Sequence, residues 1–134
     1  LSMKNLFGLL PGNVYGWPKN VLHHYGIPQS ICELNRMFPN TFAIIDGIVG
    51  MEGNGPIQGT PKKSGVLVMG KDVRAVDATC CRIMGINPLE VEYLQLAGAR
   101  GHWLEDRIEQ RGEAIASVQT TFELAPNHGH LRLT

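Results

Sequence analysis

The hydrophobic pattern changes period several times along the chain. From Pro28 the apolar positions Ile31, Leu34 and Phe38 recur at helical spacing, and Pro28 suits a first helical turn. A helix is therefore expected over 28–38, ended by Pro39-Asn40. Residues 41–46 then read Thr-Phe-Ala-Ile-Ile-Asp, a continuously apolar, β-branched run as in a strand covered on both faces. Gly65-Val66-Leu67-Val68-Met69-Gly70 is a second such run. Between them, Gly47, Gly50, Gly53, Gly55 and Gly59 punctuate a segment that reads as a long loop over 47–60. Ordered loops of that length usually carry function. Asp72 is a good N-cap for a helix over 73–84, and Gly85 is its stop. A further helix is expected over 90–100, closed at Gly101.

The two ends of the chain are less regular. Residues 1–27 hold no sustained period, so a short helical turn near 3–6 and then a packed loop are expected. Tyr15, Trp17, Tyr25, His23 and His24 in that loop read equally as a site wall or as aromatic padding over a core. After Gly101 the signal weakens. A strand and turn are expected over 108–113, another strand over 118–124, and a loose tail over 127–134. Strand, turn and helix in that order give an α/β domain over 1–126. Its sheet is expected to be mixed or mostly parallel and covered by about three helices, alone or as half of a larger α/β domain.

Composition narrows the function classes. The chain has 134 residues, enough for one domain with a real core. Twelve Lys/Arg balance twelve Asp/Glu, so no global field draws in nucleic acid or an anionic membrane. Residues 1–67 carry five basic against three acidic side chains and residues 68–134 seven against nine, an asymmetry too small to imply a polyanionic partner. The three cysteines are odd in number, with Cys80 and Cys81 adjacent. That suits a reducing, cytoplasmic setting better than a disulfide framework. No CxxC occurs, so no zinc-ribbon or iron–sulfur motif is available and the cofactor stays unknown. No apolar run approaches the length of a membrane span.

Candidate chemistry centres on the glycine-rich segment. It fails as a Walker A loop, because Gly59 is followed by Thr60-Pro61. It also fails as a dinucleotide fingerprint, because it leads into a strand rather than a helix. Its amides could still cradle a small anionic ligand, helped by Lys62 and Lys63. Asp46, at the carboxyl end of a strand, and Glu52, within the segment, are the candidate catalytic or cation-binding acids. Asp77 falls at the edge of the apolar stripe Val73, Val76, Cys80, Ile83 and Met84, so it must be paired or strongly hydrogen-bonded. Capping a neighbouring loop's amides and taking part in catalysis both fit it. Lys4, Lys19 and Lys62 could bind an anion or neutralise such an acid. No metal site assembles from His23, His24, His102, His128 or His130 by spacing alone, and Cys80 and Cys81 read as small buried hydrophobes.

Several blocks together resemble a known family. Ser2-x-Lys4-Asn5-Leu6-Phe7-Gly8, the block Asp46-Gly-Ile-Val-Gly-Met-Glu-Gly-Asn-Gly-Pro56, and Val66-Leu67-Val68-Met69-Gly70 leading into Ala75-Val76-Asp77-Ala78 are similar to the domain-of-unknown-function family numbered 362. The likeness spans roughly residues 2–113. It implies that Lys4, Asn5, Asp46, Glu52, Asn54, Gly55 and Asp77 occupy motif positions. It also implies a longer parent protein, of which this chain would be the C-terminal portion, with Leu1-Ser2-Met3 lying inside it. Many members carry an iron–sulfur label from an attached ferredoxin-like segment. The cluster cysteines are not in this chain, so that label does not transfer.

Three functional expectations follow. In the first, the segment 47–60 lines a polar pocket with Lys4, Asn5, Asp46, Glu52, Asn54, Gly55, Lys62 and Asp77. Asp46 or Glu52 would then do acid–base work on a small anionic ligand, as part of a redox-associated enzyme. In the second, the chain is a non-enzymatic docking domain of a larger iron–sulfur-associated protein. It would contact a missing N-terminal portion or a partner subunit, expose apolar surface near Leu6, Phe7, Leu9 and Leu10, and self-associate as a homo-oligomer. In the third, Asp46, Glu52 and His23 or His24 hold a divalent metal.

Overall fold

A computed structural model describes residues 1–16, 20–98 and 103–133. Trp17, Lys19, Arg100, Gly101 and His102 lie outside those residues. The helices are α1 (Ser2–Asn5), α2 (Gly12–Tyr15), α3 (Asn20–Tyr25) and α4 (Ile27–Met37). Two strands follow, β1 (Ala43–Asn54) and β2 (Gln58–Gly70), then α5 (Val73–Ile83), α6 (Glu92–Ala97) and α7 (Ile115–Val118). Short 3-10 turns join several of these.

The sheet differs from expectation. Among the described residues it has two strands, paired antiparallel from Ala43↔Gly70 to Asn54↔Gln58, so the mixed or parallel sheet under three helices is not formed. The segment read as a loop over 47–60 is mostly ladder, with only residues 55–57 turning at its tip. Glycine punctuation misled because it marks a ribbon whose glycines admit neighbouring groups. A Cβ on Gly50 would meet the Phe122 ring at 2.8 Å. The register shifts between Gly47 and Val49, where Gly65 takes a φ of +71° that glycine adopts freely.

Helix α5 is the centre of the molecule. Asp72 caps it, accepting from Arg74 N at 2.9 Å and Ala75 N at 3.3 Å. Every residue from Val76 to Ile83 is buried, because the helix is covered on two sides. One side packs with Met3, Ile31, Leu94 and Trp103 through Ala78 and Cys81. The other packs Val76 and Cys80 on Ala43, Ile45 and Val68 of the ribbon. The ribbon therefore buries one face only, and the expected two-faced burial of 41–46 does not occur.

The C-terminal third is irregular. The strand expected over 108–113 is absent, and that expected over 118–124 is replaced by α7 and an extended segment. That segment bridges two elements. Thr120 N and Phe122 N donate to Ile83 O and Met84 O at 2.8 and 3.0 Å, and Gly53 N donates to Glu123 O at 2.9 Å. The helix expected over 90–100 starts at Glu92 and ends at Ala97, after a 3-10 turn over Pro88–Glu90. In the segment expected as a tail, Leu133 N donates to Gly85 O at 3.0 Å and Asn87 N to Leu131 O at 2.7 Å.

If Gly50 exists to admit Phe122, then Gly50→Ala overpacks that contact and destabilises the fold by about 1–3 kcal/mol. The denaturant midpoint would read this, and Gly8→Ala, where an added Cβ meets nothing within 4 Å, serves as the comparison.

Candidate functional site

The predicted site residues do not converge on one place. Asp77 lies in the core, fully shielded from solvent. Its Oδ1 accepts from Ser2 N at 2.7 Å and Ser2 Oγ at 2.6 Å, and its Oδ2 from Met3 N at 3.3 Å and Tyr93 OH at 3.1 Å. The Leu1 backbone nitrogen stands 3.4 Å from Oδ2. This carboxylate thus caps the start of α1 and ties it to α5 and α6. A buried acid with so many donors is held in place by them. Of the two sequence readings, the geometry matches the capping one.

Burial and the Asp77 charge together keep its neighbours neutral. Burial, and then the Asp77 charge, pushes the Tyr93 hydroxyl far above its ordinary range. The same causes push the Cys80 and Cys81 thiols up to about 12. Neither cysteine is therefore a thiolate nucleophile at neutral pH. All three cysteines are unbridged and buried.

Glu52 and Lys62 form the second place. Their side chains are 3.4 Å apart on the inner side of the ribbon, and Glu52 Oε2 also accepts from Glu123 N at 2.8 Å. Glu52 thereby fastens the extended C-terminal segment to β1. Asn54 and Gly55 sit at the exposed tip, where Asn54 Nδ2 donates to Gln58 Oε1 at 3.0 Å.

Asp46 forms the third. It is exposed on the outer face opposite Leu67, and its Oδ1 accepts from Ile48 N at 3.0 Å. Six residues on a regular strand would place Asp46 and Glu52 on one face, roughly 20 Å apart. The register shift between them turns Glu52 inward instead. The two acids therefore do not share a site, and neither meets Asp77. Lys4 and Asn5 are exposed at the end of α1. Among the described residues no group of three or more His, Cys, Asp or Glu is placed to hold a metal ion.

Sequence reasoning missed the partners rather than the acids. Ser2, Tyr93 and the Glu123 amide lie 75, 16 and 71 positions from the carboxylates they serve, and no local pattern signals such contacts. It also missed a cleft of about 590 Å³ lined by Asn35, Arg36, Lys71, Asp72 and Arg74. The basic side chains at 36, 71 and 74 were its available signal.

The molecule is thus a mixed α/β unit with a two-stranded ribbon and an acid-anchored core helix. The chain belongs to the family described as domain of unknown function (DUF362), whose match covers residues 1–82. It is also 30% identical over 95 residues to a thylakoid-associated protein of Synechocystis sp.. That match takes in 68% of this chain and 29% of the relative, so the chain spans less than a third of that protein's length. No solved structure matches the chain. Among the described residues no helix is long and apolar enough to cross a membrane.

The anchor reading of Asp77 has a graded test. Asp77→Ala strands the Ser2 and Met3 amides and the Tyr93 hydroxyl, and is expected to destabilise by about 3–5 kcal/mol. Tyr93→Phe removes a single donor and is expected to cost about 1.5 kcal/mol. Urea unfolding followed by circular dichroism separates the two. Equal, small effects would remove Asp77 from its anchoring role.

Proposed function

We propose that this chain is a docking unit of a longer family protein, its ribbon receiving an apolar layer contributed by further polypeptide. The observation that carries this reading is the outer face of the ribbon. Ile44, Leu67 and Met69 are 64%, 57% and 57% exposed there, and they are neighbours through the pairs Ile44↔Met69 and Asp46↔Leu67. Phe42, Ile48 and Met51 extend the same apolar surface, each more than half exposed. Contiguous apolar surface of this kind marks an interaction site, and a two-stranded sheet is marginal without further strands or a covering layer.

The length of the Synechocystis relative supports a partner within the same chain. Most of that protein lies outside the matched 95 residues, which leaves ample polypeptide to cover a face of this size. On this reading residues 1–126 act as one α/β unit, and Asp46 is a polar edge to the docking face rather than a catalytic acid. The apolar surface expected near Leu6, Phe7, Leu9 and Leu10 is smaller. Leu9 is 59% exposed, while the other three are half-buried. A cytoplasmic setting, suited to three unbridged buried cysteines, belongs to the same proposal. Thylakoid association is stated of the relative.

The alternative, an enzyme using Asp46 and Glu52 on one anionic ligand, has less geometric support, since the two acids face opposite sides of the ribbon. No specific observation favours a redox role.

The isolated chain should self-associate through the uncovered face and bind a hydrophobic dye. Leu67→Lys with Met69→Lys should abolish both while leaving the unfolding midpoint nearly unchanged, because these side chains touch little of the core. Sedimentation and dye fluorescence read the outcome. A monomeric wild-type chain that binds no dye would overturn the docking reading.

A further inference from the structure

We propose that the cleft between the C-terminal end of α4 and the β2–α5 turn binds a small phosphate ester that carries hydroxyl groups. Its volume of about 590 Å³ lies within the range of roughly 300–1,000 Å³ typical of small-molecule sites. Three cationic side chains line it, Arg36, Lys71 and Arg74, against one carboxylate, Asp72. Met3, Val73 and Ala97 supply an apolar floor on which a carbon skeleton can lie.

The cations are arranged unequally. Arg74 is committed to Asp72, donating from Nε at 3.0 Å and from Nη2 at 2.8 Å. Burial raises the Asp72 carboxyl, but Arg74 and two backbone amides outweigh it and hold the group below the usual carboxylate range. That pair is thus a fixed, internally neutral wall. Arg36 meets Glu33 in an exposed pair, which is worth little and is readily exchanged. Lys71 enters no ion pair among the described residues. Two cations are therefore available to a ligand. A phosphate, with close to two charges and several acceptor oxygens, can bridge both.

Asn35 supplies the second, independent feature. Its Nδ2 donates to Met3 O at 3.0 Å and Ile31 O at 2.7 Å. Those two acceptors fix the orientation of the amide, since a flip would set oxygen against two carbonyls. Its Oδ1 is consequently fixed as an acceptor, yet it is buried with no donor in reach. A buried acceptor without a partner costs about 1–3 kcal/mol, and a ligand hydroxyl in the cleft would satisfy it. The Arg74 and Ala75 amides of α5 are already taken by Asp72, so the site depends on side chains. None of Ile44, Leu67 or Met69 takes part, so this inference does not rest on the docking reading.

Calorimetric titration of the chain at low salt with ribose 5-phosphate and with inorganic phosphate tests the site. The sugar phosphate should bind at least tenfold more tightly than inorganic phosphate. Lys71→Gln and Arg36→Gln should each weaken it about tenfold, with the unfolding midpoint of the free chain unchanged. Three results would overturn the proposal. One is no heat with either probe from a chain folded by circular dichroism. Another is full affinity in both variants. The last is equal affinity for the two probes, which would remove the hydroxyl contact to Asn35.

Discussion

A single buried carboxylate holds the helical half of this molecule together. Asp77 sits where α1, α5 and α6 meet, and each supplies or carries part of one hydrogen-bond cluster. An acid wholly removed from water is tolerated only when its lone pairs are occupied, so the start of α1 cannot be placed elsewhere without stranding the charge. The four-residue α1 has too few internal hydrogen bonds to persist by itself. It is ordered by the cap that Asp77 provides and by Met3, which is 1% exposed in the core cluster. Burial first, and then the same charge, raises the Tyr93 hydroxyl and the neighbouring thiols, so the groups around it stay neutral donors or inert hydrophobes.

The ribbon depends on that helical half for one face and leaves the other unused. Val76 and Cys80 of α5 cover Ala43, Ile45 and Val68, while alternation points Ile44, Leu67 and Met69 outward. Apolar residues on both faces gave the sequence the look of a sheet buried in a doubly wound fold. The physical content of that signal is real. The strands have the composition of a sheet covered on both faces, and among the described residues one face is covered.

Short-range features were legible in the residues and long-range ones were not. The cap at Asp72, the stop at Gly85 and the helix from Ile27 follow from local chemistry, and the chain shows them within a residue or two. The location of Asp77 on an otherwise apolar stripe was sufficient to require partners, although not to name Ser2 and Tyr93. Strand direction escaped because an antiparallel hairpin and a parallel crossover differ only in what joins the strands. Here the glycines of the joining segment give it the look of a loop. Gly50 and Gly53 instead answer to Phe122 and Glu123, some seventy positions away.

The family match ends at Arg82, yet the folded unit does not. Ile83 and Met84 receive the amides of Thr120 and Phe122, and Glu52 receives that of Glu123. These contacts differ in what they ask of the sequence. A backbone amide can be offered by any residue except proline, so the partner of Glu52 leaves almost no mark at position 123. The flat Phe122 ring against Gly50 does depend on side-chain identity on both sides. Glu52 therefore has a structural task compatible with many C-terminal sequences. An acid can be fixed in a motif because it fastens backbone, with no reaction assigned to it.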